Sequence, residues 1–384
     1  MRILYFMNHA DQGGAALALY DLIKEIKDNY NDIEPIVITG KKNKLNEMFD
    51  ELGVENYSVP YKNFISSYHS PEFFWKMFFG CRYYFFQRKA IRQIDNYIDF
   101  STIDIIHTNL NRIDIGAIFS EKYKIPHIWH VREFGDEDFK LLSFKKDPIN
   151  YMNGFKSTYI FISNAVMKKW IKKGLKYDNA NMIYDGVRSD LYSKKNFHCN
   201  KDKLKGIFLG GYCDNKGQRL LLEAIGLLPK DKLKKIEVDF YGNGEKTYIN
   251  KLILRSQQLG IRDNVFFRKY DPQITQKLTN YDVGFNCSVS EGFGRVTVEY
   301  MMNEVCPVVS SGGANTELVE NGKNGFIYQN NNAGELAKIL LLLIENRNYV
   351  YEAGVMAKKF AVDNFSMNIH TKKIVNLYNE IVGN

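Results

Sequence analysis

Ser288-Val-Ser-Glu-Gly-Phe-Gly-Arg-Val-Thr-Val-Glu-Tyr-Met-Met302 follows an apolar run, Tyr281 to Asn286, that reads as a buried strand. Gly292 and Gly294 allow a sharp turn. From about Gly294 onward, Val296, Tyr300 and Met301 are spaced to face a core from a helix. The order is therefore strand, glycine turn, helix. A helix start of this kind presents backbone N–H groups and a partial positive charge, which suits a phosphate. Glu291 opens the turn, where a capping Ser, Thr or Asp would be more ordinary. Glu299 lies over a turn into the helix, too far along to cap it. On spacing alone the pair reads as readily as an ordinary solvated loop carboxylate plus a helix-surface one as it does as a site, and a lone Gly-x-Gly after a strand is a weak signal.

Upstream, the same alternation recurs. Arg2 to Met7 reads as a first strand, Asn8 to Gly14 as a polar glycine turn, and Ala15 to Ile26 as a helix. Strand-like runs follow at Pro35–Thr39, Tyr57–Pro60, Ile103–His107, His127–Val131, Tyr159–Ile162 and Met182–Tyr184. Helical stretches lie between them near Lys44–Leu52, Ile113–Tyr123 and Ala165–Lys173. Alternation of this type predicts parallel sheets, whose ligands bind beyond the carboxyl ends of the strands. At 384 residues, 45% apolar and 25% charged, the chain suits two globular domains. No run of eighteen apolar residues occurs, so no spanning helix is expected. The N-terminus enters a strand at once and predicts no signal peptide, which gives a cytoplasmic reading. Cys81, Cys199, Cys213, Cys287 and Cys306 lack metal-ligand spacing and are expected to be reduced. A net charge of +8 favours acidic partners: anionic lipid, nucleotide phosphate or nucleic acid. No zinc-finger, RNA-recognition or helix-turn-helix pattern is present, so nucleic acid is not expected as a partner.

Glu291-Gly-Phe-Gly-Arg-Val-Thr-Val-Glu299, the strand Val305-Cys-Pro-Val-Val309, and Gly312-Gly-Ala-Asn-Thr-Glu-Leu-Val-Glu-Asn-Gly-Lys-Asn-Gly-Phe326 together resemble the signature of family 4 retaining glycosyltransferases, of the bacterial polysaccharide or glycoconjugate type. The resemblance implies the GT-B architecture: two Rossmann-like parallel-sheet domains facing each other across a cleft. The first would span 1–190, completed by a C-terminal helix at 366–384, and the second, nucleotide-sugar-binding domain 191–365. Ser193 to Lys205 is polar and lysine-rich and reads as the linker. The implied activity is a metal-independent retaining hexosyltransferase with no cofactor. It would move sugar from a nucleotide-sugar, most simply a UDP-sugar, to a glycan or lipid-linked acceptor. Two other readings stay open: a catalytically weak partner subunit of an active transferase, and a nucleotide-sugar epimerase.

Residue by residue, the resemblance implies catalytic roles for Glu291, which orients the sugar, for Lys216, which holds the diphosphate, and for His130, which stands near the transferred sugar. It implies donor contacts from Gly14, Gly211, Lys216, Tyr270, Phe293, Gly294, Arg295, Val296 and Glu299, with Glu299 on the ribose hydroxyls, and no metal ligands. The chain departs from the pattern in two places. Gly210-Gly-Tyr-Cys-Asp-Asn-Lys-Gly217 keeps the Lys-Gly but has Gly211 where the family has arginine. Arg295, Lys269 or Arg268 would have to supply the missing cation. Asp185-Gly-Val187 has Asp in place of the family's Asn.

Ser70 to Ile98 is rich in rings and cations, and no acidic residue falls between Phe73 and Ile94. Two readings stand: a long helix covering the first sheet with its aromatic side inward, or peripheral membrane contact through 71–92 at the inner face of the cell membrane.

Overall fold

A computed structural model describes residues 1–8, 13–67, 72–135, 141–176, 178–188 and 203–383. The chain divides into two units, Met1–Gly186 with Met367–Asn384, and Val187–Ser366. The division falls four residues before the predicted boundary at 190. Most of the predicted linker lies outside the described residues. Its last two residues, Leu204 and Lys205, already belong to a strand.

In the first unit, β1 (Arg2–Met7), β2 (Glu34–Thr39), β3 (Glu55–Ser58), β5 (Ile105–Thr108), β6 (His127–Val131), β8 (Ser157–Phe161) and β9 (Ala180–Met182) form one parallel sheet in the order β3-β2-β1-β5-β6-β8-β9. A separate antiparallel pair joins β4 (Ile65–Ser67) to β7 (Leu141–Ser143). Ile3 to Met7 and Ile36 to Ile38 are buried without alternation, as expected for strands covered on both faces. The helix Met367–Gly383 completes this core through Ile374, Val375, Leu377 and Tyr378, and the Tyr378 hydroxyl lies 3.0 Å from that of Tyr5.

The second unit has six parallel strands: β10 (Leu204–Leu209), β11 (Ile236–Gly242), β12 (Val265–Lys269), β13 (Val283–Asn286), β14 (Cys306–Ser310) and β15 (Phe326–Tyr328), in the order β12-β11-β10-β13-β14-β15. Strand order reverses between β10 and β13, which run side by side. At such a reversal, neighbouring connections leave on opposite faces and open a crevice beyond the carboxyl ends of the two strands. Both stretches singled out in the sequence leave from there: Gly210 to Gly217 after β10, and Cys287 to Gly294 after β13.

The aromatic segment is one long helix, Glu72–Tyr97. Its inward line is Gly80, Tyr83, Gln87, Ala90 and Ile94. The core reading expected the aromatic side inward. Tyr83 is the one ring of the run Tyr83–Phe86 that is buried; Tyr84 and Phe85 are exposed and Phe86 half-buried. The small residues Gly80 and Ala90 allow close approach on the inward line, so the larger rings sit on the other faces.

Candidate functional site

After β10, a short 3₁₀ turn at Asp214–Lys216 carries the lysine. Its Nζ lies 3.2 Å from Glu291 Oε2 and 3.4 Å from Ser288 Oγ. The two candidate groups therefore face each other. The Val289 N–H donates to the Asn215 carbonyl at 3.0 Å, which ties the two loops together backbone to backbone. The Lys216 side chain is 38% exposed and that of Glu291 17%. The lysine is thus the accessible partner of the pair, open to an incoming anion, while the carboxylate is largely enclosed. Burial pushes the Glu291 carboxyl up. Lys216, with hydrogen bonds from Ser288, Lys216 and Asn286, outweighs this and holds it below the ordinary carboxylate range.

The Glu291 loop is set by its neighbours. Gly313, at φ +66°, lies so close that a Cβ there would stand 2.2 Å from the Glu291 carbonyl oxygen and 2.5 Å from its nitrogen. Only glycine fits both the backbone angle and the approach. The Ala314 N–H donates to that same carbonyl at 2.8 Å. Beneath it, Asn286 Nδ2 donates to Thr297 Oγ1 at 2.9 Å and Asn315 Oδ1 at 3.3 Å. Asn315 Nδ2 donates to Ser310 Oγ at 3.2 Å, and Ser310 Oγ donates to the Ser288 carbonyl at 2.5 Å. All of these side chains are buried. Sequence reading missed Asn286, Ser310 and Asn315. The available signal was a polar residue closing each of two apolar strands, because a buried polar group needs a partner.

Gly294 begins the helix Arg295–Met302 in the left-handed region, at φ +92°, and no side chain caps this end. Phe293 is buried edge-on against Phe365 at 5.7 Å, so its ring anchors the turn. Val296 is only half-buried, whereas Thr297, Val298, Tyr300, Met301 and Met302 form the inward face. Even so, Val296 packs against the buried cluster of Tyr300, Ile274 and Val305, as its spacing predicts. Arg295 Nε sits 3.3 Å from Glu299 Oε1, one turn along. Tyr270 lies near the same carboxylate. Its hydroxyl is pushed up by burial first, then by Glu299 and Asp271. Arg268 is committed to Asp239 at 3.0 Å, and Lys269 is exposed at the end of β12. A Cβ on Gly211 would meet only the Asn243 carbonyl, at 3.4 Å, so this position has room for a side chain.

The first unit holds the remaining candidates. Gly14 is exposed and opens the helix Gly14–Asn29. His130 is fully buried near the end of β6. Its Nδ1 faces Arg132 Nη2 at 3.3 Å and His107 Nε2 at 3.2 Å. A guanidinium can only donate, so Nδ1 accepts and the proton sits on Nε2. That Nε2 has no hydrogen-bond partner among the described residues. Burial, then Arg132, His107 and His370, hold the His130 imidazole well below its ordinary range, so it is neutral. Arg132 Nη1 reaches both Asp185 oxygens, at 2.6 and 2.7 Å, and its Nε donates to Asn109 Oδ1 at 2.9 Å. Asp185 thus balances a buried guanidinium, which accounts for Asp where the resembled family has Asn. Among the described residues no group of three or more His, Cys, Asp or Glu side chains is arranged to hold a metal ion.

Residues 192–360 match the family model Glycosyl transferases group 1. The two parallel α/β Rossmann-like domains are those of GT-B glycosyltransferase structures. The chain is 26% identical over 367 residues to the uncharacterized glycosyltransferase MJ1178 of Methanocaldococcus jannaschii, covering 91% of this chain and 90% of that protein. It is 24% identical over 263 residues to the poly(ribitol-phosphate) alpha-N-acetylglucosaminyltransferase of Staphylococcus aureus strain COL, covering 68% of this chain and 51% of that enzyme. The crystal structure of Anabaena Alr3699/HepE in complex with UDP-glucose superposes with a TM-score of 0.81 at 22% identity, covering 99% of this chain and all of that one. The family match thus falls within the second unit of a GT-B fold.

Proposed function

We propose that the chain is a retaining glycosyltransferase. It moves a sugar from a nucleotide donor, a UDP-sugar foremost, to a glycan or lipid-linked acceptor in the synthesis of surface polysaccharide or glycoconjugate. The observation that carries this reading is the Lys216–Glu291 pair, held at 3.2 Å by two loops that leave the strands on either side of the order reversal. An arriving diphosphate takes Lys216 and the N–H groups of the helix start at Gly294 to Val296. Glu291 is then released to accept hydrogen bonds from sugar hydroxyls. Glu299 accepts from the ribose, with Tyr270 beside it. As the sugar–phosphate bond lengthens, the cation and the helix start take up charge on the departing phosphate, and no protein nucleophile is required. The similarity to a UDP-glucose-bound structure and to an alpha-N-acetylglucosaminyltransferase supports the donor and acceptor classes.

Proton NMR of products formed from an alpha-linked UDP-sugar tests this reading. An alpha product supports retention and a beta product overturns it, and an unchanged rate in EDTA is expected of metal-independent transfer. Gly211 favours a second reading, a donor-binding partner subunit. Tight UDP binding with neither hydrolysis nor transfer would select it.

Two mutations probe the roles. Glu299→Gln is expected to weaken UDP binding by roughly 10- to 100-fold, the loss of a charged hydrogen-bond partner, while the melting temperature holds. Unchanged affinity by calorimetry removes Glu299 from the ribose. Lys216→Met is expected to move the acid limb of the pH–rate profile to higher pH. In the native chain Glu291 stays ionised until pH falls below the ordinary carboxylate range; without the lysine, burial acts less opposed and raises that limb. An unmoved limb would show that Glu291 does not set it.

A further inference from the structure

We propose that the outward face of the helix Glu72–Tyr97 is a docking surface for a membrane containing anionic lipid. This inference stands independently of the transferase reading. The helix is locked in rotation by a buried anchor: the Tyr83 hydroxyl and Gln87 Nε2 donate to the buried Asp114 carboxylate at 2.5 and 2.9 Å. What faces outward is therefore fixed by packing. Opposite the anchor, Phe74, Phe78, Cys81, Phe85, Arg88 and Arg92 are all exposed and recur every three or four residues, which is one line along a helix.

The line is divided along its length. Its first half is apolar, with Phe78 63% and Phe85 66% exposed and Met77 beside them at 55%. Its second half is cationic, with Lys89 exposed next to Arg88 and Arg92. Arg82 lies over the Phe78 ring at 5.3 Å, which places charge at the edge of the apolar half. No acidic residue lies between Phe73 and Ile94.

Exposed rings in a contiguous patch cost solvation unless something apolar covers them. Several cations without a single acid select a negatively charged cover. A bilayer interface with anionic headgroups offers both at once: rings enter the headgroup boundary, and the adjacent cations meet phosphates. No described helix is long and apolar enough to cross a membrane, so the contact is peripheral. The split makes the helix enter at a slant, with its first half deeper.

Vesicle flotation of the full chain tests this, with phosphatidylcholine alone and with phosphatidylglycerol added. The protein should float only with phosphatidylglycerol present, and salt should weaken binding. Changing Arg88, Lys89 and Arg92 together to Gln should lower binding roughly a hundredfold. Phe78→Ser with Phe85→Ser should lower it comparably. All five side chains are exposed, so an unchanged melting temperature confirms that the variants fold. No flotation of the wild type at low salt overturns the proposal, as does flotation that neither variant weakens. Concentration-dependent dimerisation lost in the two-serine variant would overturn it in favour of a second copy of the chain.

Discussion

Glu291→Gln should lower sugar transfer by roughly 100- to 1,000-fold, the usual loss when one preorganised electrostatic group is removed from a reacting centre. Glutamine keeps the shape and can still bond to Ser288, so the loop held by Gly313, Ala314 and Asn315 should not move. What disappears is the charge opposite Lys216. UDP binding should therefore hold or tighten, because the diphosphate no longer competes with a carboxylate for the lysine. A variant that transfers sugar within tenfold of wild type, or that loses UDP affinity in step with rate, would contradict the role given to Glu291. A loss confined to rate separates sugar orientation from donor capture.

Asp185→Ala should destabilise the first unit by roughly 3–5 kcal/mol, because it leaves the Arg132 guanidinium buried without its counter-charge. For a unit of this size that is a fall of about 6–20 °C in melting temperature. The double change Asp185→Leu with Arg132→Met should recover most of it, since replacing both partners of a buried pair by apolar groups is often neutral. A single mutant that melts within about 2 °C of wild type would show that water reaches Arg132. The rescued double mutant is also informative about rate. Its fold is restored, but His130 has lost the donor that fixes its tautomer.

The sequence conveyed the succession of strands and helices well, because alternation of apolar runs with helical spacing is a local property. It also marked the turn at Glu291–Gly294 and the lysine at 216 as loop groups following strands. It did not show that Lys216 and Glu291 face each other, since they lie 75 residues apart. The Arg132–Asp185 pair, 53 residues apart, was hidden for the same reason. Such pairings depend on where each strand is placed in the folded sheet, and periodicity carries no information about that. For the aromatic segment, composition left a core reading and a membrane reading open. Which rings went inside was decided by Asp114, a residue outside the segment.

The helix Met367–Gly383 sits in the core of the unit that also contains the first strand, with Tyr5 and Tyr378 separated by 373 positions. This inverts the usual order of folding during synthesis, in which the N-terminal domain matures first. The first unit waits, with part of its core uncovered, while the ribosome makes the second, roughly 9–36 seconds of elongation. The second unit can form its own core in that interval. Through that interval the nascent chain exposes the apolar surface that Ile374, Val375 and Tyr378 later cover, and a chaperone has its longest opportunity there.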